Sequence, residues 1–65
     1  MLDVDKIKDI LQSRLLTQQE VAEMAGVQAG TISRMLLTGR ARYETVVKLA
    51  KALDVEPVEL LRKEF

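Results

Sequence analysis

Cysteine and histidine are both missing from this chain of 65 residues. Disulfides, thiolate metal sites and thiol nucleophiles are therefore excluded. So are the commonest general base and the commonest metal ligand. Tryptophan is absent, and Tyr43 and Phe65 are the only aromatic residues, so any core must be aliphatic. One proline and three glycines leave little punctuation for strands and turns, which favours helices. No apolar run approaches the length of a membrane span, and no basic start is followed by an apolar stretch. These absences predict a protein of a reducing cytoplasm that needs no cofactor. A chain this short also offers little material for a substrate cavity, and an enzyme is not expected.

What is present is a nearly half-apolar composition with a formal net charge of zero. At this length one domain, residues 1–65, is expected, near the lower limit of what folds without staples. The charges are unevenly placed. No acid lies between Glu23 and Glu44, whereas Arg34, Arg40 and Arg42 all fall in that window. The acids gather towards both ends, at Asp3, Asp5, Asp9, Asp54, Glu56, Glu59 and Glu64. A neutral total argues against nucleic acid as a partner. A dipolar molecule with one basic face can still approach phosphate, with modest non-specific affinity.

Apolar spacing divides the chain into about five short helices, an all-α bundle. The first is predicted from Asp3 to Leu15, with Val4, Ile7, Leu11 and Leu15 forming its stripe and Asp3 or Asp5 serving its N-terminal amides. Thr17-Gln18-Gln19-Glu20 fits the capping box and opens the second helix, whose buried face is Val21, Ala22 and Ala25. Gly26 supplies the positive φ that ends it, and Val27 anchors the turn. A third helix follows from Gln28 to Leu37. Successive side chains about 100° apart place Ile32, Met35 and Leu36 on its inner side and Gly30, Ser33, Arg34 and Leu37 opposite. Thr38-Gly39-Arg40 is a turn. From Tyr43 or Glu44 a fourth helix buries Val46, Leu49, Ala50 and Leu53. The last begins near Glu56-Pro57 and turns Val58, Leu61 and either Leu60 or Phe65 inwards.

Helix, glycine turn and helix between Thr17 and Leu37 have the form of a helix-turn-helix. The stretches Thr17-Gln18-Gln19-Glu20-Val21-Ala22, Gly26-Val27, Thr31-Ile32-Ser33-Arg34 and Leu49-Ala50-Lys51-Ala52-Leu53 resemble the Cro and phage-repressor type of domain. The resemblance runs from about Ile7 to Leu61. Val21 to Val27 and Thr31 to Arg34 are equally similar to the lactose-repressor headpiece. The loop Leu37-Thr38-Gly39-Arg40-Ala41-Arg42 is closer to that second form, and the Leu-Ala-Lys-Ala-Leu run to the first.

That resemblance implies a transcriptional regulator that binds double-stranded operator DNA, usually as a homodimer. The helix from Gln28 would enter the major groove. Gln18 matches a phosphate-binding position at a helix N-terminus. Thr31 and Ser33 match positions whose hydroxyls hold the backbone, and Arg34 one that reaches a guanine edge or a phosphate. Arg40 and Arg42 would touch flanking phosphates from the loop. Gln28 stands where Ser or Thr commonly caps the recognition helix. Ala29 and Gly30 occupy the main base-reading positions, where neither can form a bidentate pair, although alanine can touch a thymine methyl.

Two function classes remain open. One is the DNA-binding regulator. The other keeps the scaffold as a protein-interaction module or an antitoxin-type regulator with a protein partner, which zero net charge and the small, apolar content of Ala29, Gly30 and Leu37 would suit. Tyr43 is expected to pack its ring at the start of the fourth helix, with its hydroxyl free for phosphate. Leu60, Leu61 and Phe65 either fold onto the domain or stay exposed at a two-fold interface.

Overall fold

The computed structural model describes residues 2–62. Four α-helices and one 3-10 turn follow each other: α1 (Val4–Ser13), α2 (Gln18–Ala25), α3 (Ala29–Thr38), α4 (Tyr43–Leu53) and the turn Pro57–Leu60. The all-α architecture expected from the apolar spacing is present. The fifth element is a single turn rather than an α-helix.

Side-chain caps start two of the helices. The Asp3 carboxylate accepts from the Lys6 amide at 3.1 Å and opens α1. At α2 the capping box is complete: the Thr17 hydroxyl accepts from the Glu20 amide and the Glu20 carboxylate accepts from the Thr17 amide, both at 3.0 Å. Each bond satisfies an amide that the helix leaves without an internal partner.

All four helices stop on a residue in, or followed by one in, the left-handed region. Gly26 (φ 74°) ends α2 and Gly39 (φ 73°) ends α3. At α1 and α4 the same role falls to Leu15 (φ 56°) and Asp54 (φ 57°). The return bonds are alike in three of them. Leu16 donates to the Leu11 carbonyl, Val27 to Ala22 and Val55 to Ala50, each at 2.9 Å. That is the six-to-one closure of a Schellman turn. Leu15 is therefore not the last residue of the α1 stripe, as its spacing predicts. The left-handed turn swings it into solvent, where it is 88% exposed, and Leu16 packs against the core in its place.

The core is aliphatic throughout. Ile7 and Leu11 of α1, Val21 and Ala22 of α2, Ile32, Met35 and Leu36 of α3, and Val46, Leu49, Ala50 and Leu53 of α4 are buried. Helix α2 packs on both α3 and α4, and the 3-10 turn closes the end of α4 and touches α1. The small Ala22 allows α2 to approach its neighbours closely. Among the described residues no polar or charged side chain is buried. Specificity of packing among them thus rests on side-chain shape.

Near the C-terminal end the expected inward side is found in part. Leu60 is fully buried, Leu61 is half-buried and Val58 faces solvent. Leu61 is extended and forms an isolated antiparallel bridge with Leu2, which is itself buried. Asp3 donates to the Leu60 carbonyl at 2.9 Å and Leu2 to the Gly39 carbonyl at 3.1 Å. This backbone pairing takes the chain away from helical dihedrals after Leu60, so the stripe predicted through Leu61 does not form. Phe65 lies outside the described residues.

Candidate nucleic-acid interface

The segment α2, Gly26-Val27, α3 places two short helices in contact across a tight turn. Ile32, Met35 and Leu36 lock α3 onto the core. Its opposite side is fixed by that burial: Gly30 and Leu37, seven residues apart, lie nearly in line, with Ser33 to one side and Arg34 to the other. All four are exposed.

On the Arg34 side a cleft of about 410 Å³ opens between α3 and the start of α4. Thr31, Arg34, Thr38, Arg40, Arg42 and Thr45 supply its polar lining, so the three arginines of the acid-free window converge on one concavity. No carboxylate lines it. Among the described residues the one ion pair joins Arg62 to Asp5 at 4.0 Å, so none of the three arginines is neutralised by a neighbour. The loop that carries two of them is held by Thr38, whose hydroxyl donates to the Arg34 carbonyl at 2.9 Å and accepts from the Arg40 amide at 3.2 Å. Arg42 is the N-cap of α4 and makes no side-chain cap bond, which leaves first-turn amides of α4 open beside the cleft. Planar guanidinium forks, the Thr31 and Thr45 hydroxyls and helix-end amides suit a phosphate oxygen.

On the Ser33 side lies a shallower depression of about 280 Å³, lined by Lys8, Gln18, Ser33, Leu36 and Leu37. The Ser33 hydroxyl donates to the Gln18 side-chain carbonyl at 2.6 Å. That bond fixes the orientation of the Gln18 amide and leaves its NH₂ free to donate outwards. Gln18 is also the first residue of α2, where the backbone amides of Gln18 and Gln19 have no intrahelical acceptor. Lys8 reaches this edge from α1. Sequence reasoning missed it, because nothing in the α1 pattern tells which neighbour its outer face meets.

The remaining predicted residues sit at the start of α3. Gln28 is its N-cap and makes no side-chain cap bond, as expected of a glutamine there. Ala29 and Gly30 form the exposed first turn and line neither cleft. A Cβ placed on Gly30 would meet nothing within 4 Å, so internal packing does not demand the glycine. All nine residues singled out from the sequence thus lie on the outer face of α3 or on its two flanks. Tyr43 does not pack its ring as expected: it is 72% exposed at the first position of α4, beside Arg42.

An exposed helix face flanked by a basic cleft on one side and a capped helix N-terminus on the other defines the class: a helix-turn-helix domain of nucleic-acid-binding type. A family model described as helix-turn-helix matches residues 7–60, almost the whole chain. The chain belongs to that family, the helix-turn-helix domains of Cro and phage-repressor type, whose members are DNA-binding regulators rather than enzymes. No curated protein and no solved structure matched it. No helix among the described residues is long and apolar enough to cross a membrane.

Proposed function

We propose that this chain is a sequence-selective DNA-binding regulator that places α3 in the major groove and acts as a homodimer on a partly palindromic site. The observation that carries the reading is the convergence of Arg34, Arg40 and Arg42, free of carboxylates, on one flank of α3. Gln18, positioned by Ser33, serves the other flank with Lys8. In this reading the two flanks take the phosphates of the two strands bordering the groove. Thr31 and Thr45 add hydroxyl contacts within the arginine cleft, and Gln28, Ala29 and Gly30 meet base edges.

The dimer follows from reach. Helix α3 has ten residues, about 15 Å of helix, and covers only a few base pairs. Two copies about 34 Å apart read successive major grooves on one side of the duplex. Sedimentation with and without DNA tests this, and a monomer under both conditions removes it.

Selection from a random duplex pool, run with wild type and Arg34→Ala, tests the main reading. Enrichment of a partly two-fold sequence by the wild type, lost with Arg34→Ala, is the expected result. No enrichment at low salt overturns it. One observation favours a second reading, a protein-interaction module on the same scaffold: Leu37, 86% exposed, stands with Ala29 and Gly30 on an outer face of little polarity. In that case Arg34→Ala would leave the affinity for duplexes unchanged.

A further inference from the structure

Most hydrogen-bonding side chains of α3 are already engaged or turned to a flank. The Ser33 hydroxyl is held by Gln18 at 2.6 Å, and that of Thr38 by the Arg34 carbonyl at 2.9 Å. Thr31 and Arg34 line the arginine cleft. Along the centre of the outer face this leaves Gly30 and Leu37. Glycine offers no side chain, so Leu37 is the one large group that projects there, and it is 86% exposed. Removing it would cost the fold little. Leu37 also borders the depression that holds Lys8 and Gln18. A phosphate seated on those two donors would fix the distance between this leucine and the neighbouring base pair.

The major groove displays one apolar group, the 5-methyl of thymine. Resting on the reading that α3 enters that groove, we propose that Leu37 is a specificity-determining residue that packs on a thymine methyl. The site is then recognised at this position by an apolar contact rather than by a hydrogen bond.

Deoxyuridine differs from thymidine only in lacking this methyl, and it keeps the same hydrogen-bonding edge. The test takes the duplex recovered by selection and replaces its thymines with uracil one at a time, titrating wild type and Leu37→Ala against each. Replacement at one position per half-site is expected to weaken wild-type binding roughly three- to tenfold, as suits one buried methyl. Leu37→Ala should bind the thymine and uracil duplexes equally, with an unchanged melting temperature. Three results overturn the inference while leaving DNA binding intact: indifference of the wild type to every replacement, the same loss in Leu37→Ala, or salt-sensitive binding without any enriched sequence. Absence of duplex binding at low salt overturns this inference and the functional reading together.

Discussion

Ser33 on α3 donates its hydroxyl to the side-chain carbonyl of Gln18, the first residue of α2, at 2.6 Å. The two residues are fifteen apart in sequence and link the two halves of the helix-turn-helix on its outer side. The bond is exposed, so its net worth to stability is at most about 1 kcal/mol. Its effect on a ligand is larger in principle, because it aims the Gln18 NH₂. Ser33→Ala should therefore melt close to wild type but bind duplex DNA several-fold more weakly. Gln18→Ala should lose a similar factor, and the double variant no more than Gln18→Ala alone. Anisotropy titrations of the four proteins give the cycle, and simply additive losses would show that the hydrogen bond does not organise the contact.

The arginine cleft makes a prediction about salt. Each phosphate neutralised contributes a slope of about −0.9 to the dependence of log affinity on log salt. Arg40→Ala and Arg42→Ala should each weaken binding to all duplexes alike and flatten that slope by about one. Asp54→Asn, which keeps a residue tolerant of the left-handed conformation at the far end of α4, should change neither. Slopes that do not differ between wild type and the arginine variants would mean that these side chains are solvated surface.

Leu15 is a leucine at φ 56° with its side chain in water. A non-glycine residue held there costs roughly 1–2 kcal/mol, and asparagine tolerates the region better. Leu15→Asn should stabilise the domain by about 1 kcal/mol. In a chain of this size that raises the melting temperature by roughly 4–8 °C. A lower melting temperature would show that the exposed leucine makes a contact that its exposure does not reveal.

The helix ends also show what the sequence could and could not reveal. Gly26 and Gly39 announce left-handed terminations because glycine reaches them at no steric cost, and Thr17 announces α2 through its partner Glu20. Leu15 and Asp54 end their helices in the same way, but their side chains carry no such signal. There the conformation is imposed by the return bonds of Leu16 and Val55 and by packing. A guanidinium N–H of Arg14 donates to the Leu53 carbonyl and so closes the end of α4, a contact 39 residues apart that no local pattern could suggest. The same limit applies at the interface. Arg34, Arg40 and Arg42 could be grouped because the window around them lacks acids, whereas Lys8 joins Gln18 only through the packing of α1. Leu2 was illegible for a related reason: a single backbone bridge to Leu61, not a periodic stripe, holds it where it is buried.

The first turn of α3 is weaker than it needs to be for folding, and this yields the last prediction. Gln28 provides no side-chain cap, and Gly30 sits inside a helix with open space where its Cβ would be. Gln28→Ser should gain about 1 kcal/mol by supplying a cap oxygen. Gly30→Ala should gain about 0.5–1 kcal/mol, since alanine loses less conformational freedom and nothing obstructs its methyl. If both residues are kept for contact with a duplex, each stabilised variant should bind DNA less well. Gln28→Ser removes an amide that can reach a base edge, and Gly30→Ala adds a methyl where the helix comes nearest the groove floor. Chemical denaturation and duplex titration of the same two variants separate the effects. A Gly30→Ala protein that is more stable and binds with unchanged affinity would show that close approach is not the reason for the glycine.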